Sequence, residues 1–368
     1  MSDSLGDGLG NPTANQIQLY DRWARGGLAL SIIGEVQSTP YFAEKPGNLV
    51  LDINSDQSLF KELARKGAAD SAQLWLQLGH AGAMADAPIS NPKGPSALDL
   101  PGLKCTALSL QEIQGLPAEF ARTAVLAKQL GFGGVEIHAA HGFLLSQFLS
   151  PLFNKRSDNY GGSLQNRMRL LLEVIAAVRS AVGPSFPVGI KLNATDQLEG
   201  GLQQDEALEV IAAIDQTDID LIDISGGTYF PGAPSSSDRV GSGPYFLDFA
   251  KHARKKTAIP LMVTGGFKTL AQAESAVAEG KADLIGLARA LVVDPDLPSK
   301  WLMGQNGEPQ FPRFKDPPEG GVTAWYTMQI TQIAKAEGAL SADDLTEAIN
   351  AYEVRDNERR QLWSAHFE

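Results

Sequence analysis

Seven short, β-branched apolar runs recur along this chain, each leading through glycine, proline or polar residues into a stretch of helical periodicity. The runs are Leu28 to Gly34, Ala72 to Leu78, Gly134 to Ile137, Val188 to Leu192, Leu221 to Ser225, Leu261 to Thr264 and Leu284 to Leu287. Helices are expected from Ala14 to Arg25, Asp56 to Lys66, Ser109 to Leu130, Leu164 to Val182, Asp205 to Gln216, Leu247 to Lys256 and Thr269 to Glu279. Ser109 stands three residues before Glu112, the spacing of a capping box. Strand and helix in strict alternation build a parallel sheet. So many strands suit a (β/α)8, or TIM, barrel lacking one strand better than a doubly wound sheet.

The absent strand is the first. Only Met1 to Thr13, rich in glycine and polar residues, precede the first helix, so β1 of the barrel is expected to be incomplete or missing. Residues 1–307 are read as the barrel. Residues 308–368 are read as an irregular and helical extension packing on the barrel or on a neighbouring subunit. Pro309 to Gly321 forms the irregular part, and helices are expected over Ala324 to Ala336 and Ser341 to Tyr352.

Bulk composition narrows the function. The 368 residues are 43% hydrophobic, enough for a large core, and carry a net charge of −12, which argues against nucleic acid and anionic membrane surfaces as partners. Cys105 is the only cysteine, so no internal disulfide forms. The amino terminus holds neither a basic nor an apolar segment, and no apolar run approaches the ~20 residues that span a bilayer. A soluble, cytoplasmic protein is expected.

Chemistry points first to Val135-Glu136-Ile137-His138-Ala139-Ala140-His141-Gly142, where two histidines follow a buried strand. Strand ends of this kind form the active face of a barrel. Taken alone, the pair also fits two hydrogen-bonded core histidines, or half of a metal site whose remaining ligands are not in evidence; no metal is expected.

The chain continues Gly142-Phe143-Leu144-Leu145-Ser146-Gln147-Phe148-Leu149-Ser150-Pro151, then Asn154-Lys155-Arg156-Ser157-Asp158-Asn159-Tyr160-Gly161-Gly162-Ser163 and Asn166-Arg167. This run resembles the signature of the Old Yellow Enzyme family of FMN-dependent ene-reductases, in its His-x-x-His form similar to bacterial-like and fungal members. The resemblance implies that His138 and His141 bind the carbonyl oxygen of an activated alkene, with FMN as cofactor and NAD(P)H as co-substrate. It places Gln77 at the flavin pyrimidine edge and Glu35 at a flavin-lining position. Lys191 falls where the family usually carries arginine beside flavin N1. Gly265, Gly266, Ala288 and Arg289 fall at the FMN phosphate. Ser2 falls on a flavin-contacting position at the end of the family's first strand. No strand followed by GxGxxG occurs, so nicotinamide is expected to stack on the flavin in place of the substrate.

One departure touches the chemistry. Phe143 stands where the family has the tyrosine that protonates the α-carbon, and a phenyl ring donates nothing. Tyr229 or water is the expected substitute. The reading is an ene-reductase taking a small activated alkene, in a possible homo-oligomer. Two others stay open: a flavin-assisted isomerase, and a truncated non-catalytic relative.

Overall fold

The computed structural model describes residues 2–230, 233, 243–305, 307–318, 320–341 and 345–367. Seven parallel strands form one curled sheet in chain order: β1 (Leu30–Gln37), β2 (Gln73–Gly79), β3 (Gly134–Ala139), β4 (Val188–Asn193), β5 (Leu221–Ser225), β6 (Leu261–Thr264) and β7 (Leu284–Gly286). Within this sheet β1 pairs only with β2, and β7 only with β6. The interval between them is bridged by helices. The first helix, Ala14–Arg25, is capped by the Thr13 side chain on Gln16 N–H and reaches the segment after β7. There Trp23 Nε1 donates to Leu291 O at 3.2 Å, and Arg22 Nη1 donates to Asp296 Oδ1 at 2.6 Å.

The concave side of the sheet is filled in layers, because alternate residues of each strand point inward. The lowest layer is apolar: Leu30, Ile32, Trp75, Leu221, Met262 and Leu284 form one cluster. Trp75 takes most of this space, and glycine at 134 makes room for it: a Cβ there would lie 2.5 Å from Trp75 Cε2. Above it the layer turns polar, with Gln77 bonded to Glu136, and Lys191 and Thr264 both bonded to Asp223. The third layer carries Glu35, His138 and Ser225. Outside the sheet, the main core joins its convex face to the helices, with Leu76, Val135, Ile190 and Ile222 fully buried.

Several boundaries differ from expectation. The helix foreseen over Leu164 to Val182 breaks at Met168 into Leu164–Arg167 and Arg169–Val182. A small sheet of Lys93–Gly94, Leu98–Leu100 and Leu103–Ala107 was not foreseen, its strands being too short and mixed to show a period. The last helix runs Leu345–Phe367, well past Tyr352. Only Ala348, Asp356 and Trp363 on it are buried, a seam too narrow to read as amphipathic. It lies against residues near the amino terminus: Arg359 Nη1 donates to Ser4 O at 2.6 Å, and Trp363 packs with Ala43 and Val50. The capping box of Ser109 and Glu112 forms as expected.

Candidate active site

His138 is the penultimate residue of β3, its ring buried, and His141 follows in a loop at φ 62°. That left-handed turn sets the two rings edge-on, at 70° to one another, with His138 Nε2 and His141 Nδ1 3.1 Å apart. Each outer nitrogen has its own partner. His138 Nδ1 meets the Glu35 carboxylate, and His141 Nε2 meets Ser225 Oγ at 2.9 Å. A carboxylate only accepts, so His138 Nδ1 carries a proton. In the neutral pair, His141 Nδ1–H then donates to His138 Nε2, and Ser225 donates to His141 Nε2. Burial, with His138 and Lys191 nearby, pushes the His141 pKa well down and keeps that ring neutral.

The loop is locked from three sides. Asn193 Oδ1 accepts from His141 N–H at 3.0 Å, and Asn193 Nδ2 donates to Gly227 O at 2.9 Å. Gln147 Nε2 donates to Gly142 O at 2.6 Å and to Ala81 O at 3.1 Å. Gly142 itself is required, since its φ is 81° and a Cβ would fall 2.1 Å from Thr228 Oγ1. Sequence reasoning missed Asn193 as a positioning residue; a lone asparagine closing a strand is its only signal.

The polar layer beneath holds the expected flavin-edge residues. Gln77 Nε2 donates to Glu136 Oε1 at 2.6 Å, leaving Glu136 Oε2 buried without a partner. Burial raises the Glu136 pKa to about 7, against the opposing pull of Lys191. Lys191 Nζ donates to the Asp223 carboxylate. Burial works against its charge, but Asp223 and Glu136 outweigh this and raise its pKa. Asp223 was not foreseen. Its second oxygen accepts from Thr264 Oγ1 at 2.8 Å, so the Lys191 cation is held from β5.

At the other end, Gly265 and Gly266 have φ of 113° and 85°, a conformation open to glycine. Ala288 precedes the short helix Arg289–Val293. The Arg289 guanidinium lies 5.8 Å from the ring centroid of Tyr326, on the helix Gly321–Lys335. Ser2 Oγ accepts from Ser4 N–H at 3.3 Å. Phe143 is buried, its ring 4.9 Å from His138 and 5.9 Å from Tyr229. Tyr229 stands beside His141 at 5.6 Å and is 58% exposed. These residues suit a flavin mononucleotide: an unpartnered buried acceptor and a cation stand in one layer, with a glycine turn and an arginine at the far strand ends.

A curled parallel α/β sheet with a histidine pair over a polar, cation-bearing interior fits the class of flavin oxidoreductase that the resemblance implies. Comparison with known proteins agrees. The NADH:flavin oxidoreductase / NADH oxidase family matches residues 6–308, and the chain belongs to this family, a class that holds FMN and draws electrons from NADH or NADPH. It is 35% identical over 343 residues to the NADH-dependent flavin oxidoreductase iliE of Neonectria sp., covering 83% of this chain and 44% of that protein. With the protein of the same description from Hypocrea jecorina it shares 34% over 331 residues, covering 81% and 82%. The fold matches the Old Yellow Enzyme homologue from Zymomonas mobilis, with a TM-score of 0.73 at 23% identity over 89% of this chain and 92% of the other.

Proposed function

We propose that this chain reduces activated C=C bonds of α,β-unsaturated carbonyl compounds, as an FMN-dependent NAD(P)H oxidoreductase. The supporting observation is the convergence of His138 Nε2 and His141 Nδ1, which face one another across 3.1 Å at the carboxyl end of β3. When bound, FMN would accept hydride from NAD(P)H and return it to the alkene β-carbon. Negative charge then grows on the substrate oxygen, and each N–H group that the pair turns toward it stabilises it by roughly 2–4 kcal/mol. Gln77 and Lys191 would hold the flavin edge, Gly265, Gly266, Ala288 and Arg289 its phosphate, and Glu35 and Ser2 its rim. Phe143 and Tyr229 would line the substrate side. A small-molecule substrate, a cytoplasmic location and a homo-oligomer complete the reading, without nucleic acid or membrane as partner.

Phe143 favours a second reading. A buried phenyl ring at the proton-donor position suits an isomerase that borrows the flavin without net reduction. Stoichiometric NAD(P)H consumption with 2-cyclohexenone supports the reductase, and substrate rearrangement without consumption supports the isomerase. A Phe143→Tyr variant should speed the oxidative half-reaction, by at most about 10²–10⁴-fold, and leave flavin reduction by NAD(P)H unchanged.

A further inference from the structure

Glu35 does more than line a flavin rim. It is 3% exposed, lies at φ 56° where β1 bulges between Ile33 and Val36, and is aimed at the histidine pair. One oxygen meets His138 Nδ1; the other accepts from Gln37 Nε2 at 3.2 Å. Glycine at 79 makes room for it, since a Cβ there would fall 2.4 Å from Glu35 Oε2.

Proton counting gives this contact a consequence. With His138 Nδ1–H committed to Glu35, a neutral pair has one proton between His138 Nε2 and His141 Nδ1. An oxygen that is to accept from both nitrogens therefore needs one proton more. We propose that Glu35 holds His138 doubly protonated beneath a bound substrate oxygen, and that His138 Nε2 gives its proton to that oxygen to complete the reduction. This rests on the ene-reductase reading above.

The step balances. Reduced FMN, when bound, would supply the hydride for the β-carbon C–H bond, and the alkene electron pair moves onto the carbonyl oxygen. The His138 Nε2–H bond breaks as the O–H bond forms, leaving an enol and a neutral His138 whose Nδ1–H still faces Glu35. The enol becomes the carbonyl product by losing that proton and taking one from water at the α-carbon. Water then restores the proton on His138, so each alkene consumes one hydride and one proton.

The contacts single out His138, the ring whose outer nitrogen faces a carboxylate. His141 is held neutral by its burial, and Lys191 on β4 is engaged by Asp223 on β5. Glu136 on β3 is bonded to Gln77 on β2, and Ser225 on β5 reaches only His141 among the two rings. Glu35 on β1 is the one carboxylate bonded to His138 among the described residues. Phe143, 4.9 Å away, offers no donor to the α-carbon. Glu35 is thus a positioning residue, acting through His138.

The test uses the holoenzyme, a Glu35→Gln variant and 4-nitrophenol, whose ionised oxygen mimics the enolate and is seen by its absorbance. At a pH where the free ligand is half ionised, the parent should shift bound 4-nitrophenol toward the phenolate by about tenfold or more, and Glu35→Gln should lose that shift. Stopped-flow oxidation of the reduced variant by 2-cyclohexenone should slow by about 10²-fold, and by clearly more than its reduction by NAD(P)H. Glu35→Asp should restore part of both effects. Equal phenolate in parent and Glu35→Gln overturns the proposal, as does equal slowing of both half-reactions. Should Glu35→Gln not fold, the parent decides alone: bound 4-nitrophenol no more ionised than in water overturns it. A parent that ionises 4-nitrophenol yet leaves every enone untouched would refute the ene-reductase reading instead.

Discussion

The two ends of the sheet are built differently. From β2 through β5 the strands are buried almost throughout, and their inward residues are cross-bonded from strand to strand. At the other end β7 is half-buried along its whole length, and Gly265, Gly266, Ala288 and Arg289 are all partly exposed. The contrast follows the chemistry proposed for each. Stabilising a developing charge needs donors fixed to fractions of an ångström in a low-dielectric setting, whereas a phosphate can be held at a hydrated edge by amides and one cation. Rigidity is concentrated where protons and hydride would move.

Removing the histidines should break this contrast most severely. A variant with His138→Ala and His141→Ala together should lose enone turnover by at least about 10⁴-fold, the equivalent of two oriented donors, and retain its flavin. Turnover equal to the parent's would remove the pair from the chemistry. Next comes the floor of the packed half: Trp75→Ala should cost about 3–5 kcal/mol by urea unfolding, as for other large buried aromatic residues. Leu284→Ala on half-buried β7 should cost clearly less, and equal costs would erase the distinction between the two ends.

Glu136 sharpens the comparison through pH. Burial raises its folded pKa to about 7, above the unfolded value of 4.5, so the folded chain binds the extra proton. Stability should therefore fall as pH rises from 5 to 8, by roughly 2–3 kcal/mol, with the loss centred between those two pKa values. A Glu136→Gln variant should lack this slope, and a matching slope would assign it to another group. The smallest effects belong to the open end. Arg289→Ala should loosen FMN by about 1.5–3 kcal/mol, and Tyr326→Ala, which removes only the ring beneath it, by about 0.5–1 kcal/mol. Flavin retention during dilution would read both, and a larger loss from Tyr326→Ala would reverse their assigned weights.

The long motif from Gly142 to Arg167 shows how far a sequence can be read. Its first half carries the loop of the histidine pair. Its second half is expended on folding: Asn154 Nδ2 donates to Phe148 O and Tyr160 O, Arg156 Nη1 donates to Pro95 O and Leu108 O, and Arg167 pairs with Glu206. A motif read as one functional unit thus divides into a site and the brace behind it. The division was invisible in the linear order, because what distinguishes the two halves is the carbonyl each polar side chain reaches.

Strand positions, helix starts and the location of the histidines were legible because they rest on local physics: apolar runs of four to eight residues, Ser109 as a cap, small residues where strands end. Those features determined the class of fold and the side of the barrel on which to look. The partners of the histidines were decided by tertiary structure alone. Glu35 meets His138 across 103 positions of sequence, Asn193 reaches His141 across 52, and Asp223 claims Lys191 across 32. Such pairs exist only once parallel strands settle into register, which places side chains from distant segments in one layer of the barrel. A short-range pattern encodes which residues face inward; the register of the sheet chooses whom they meet, and with that which nitrogen carries the proton.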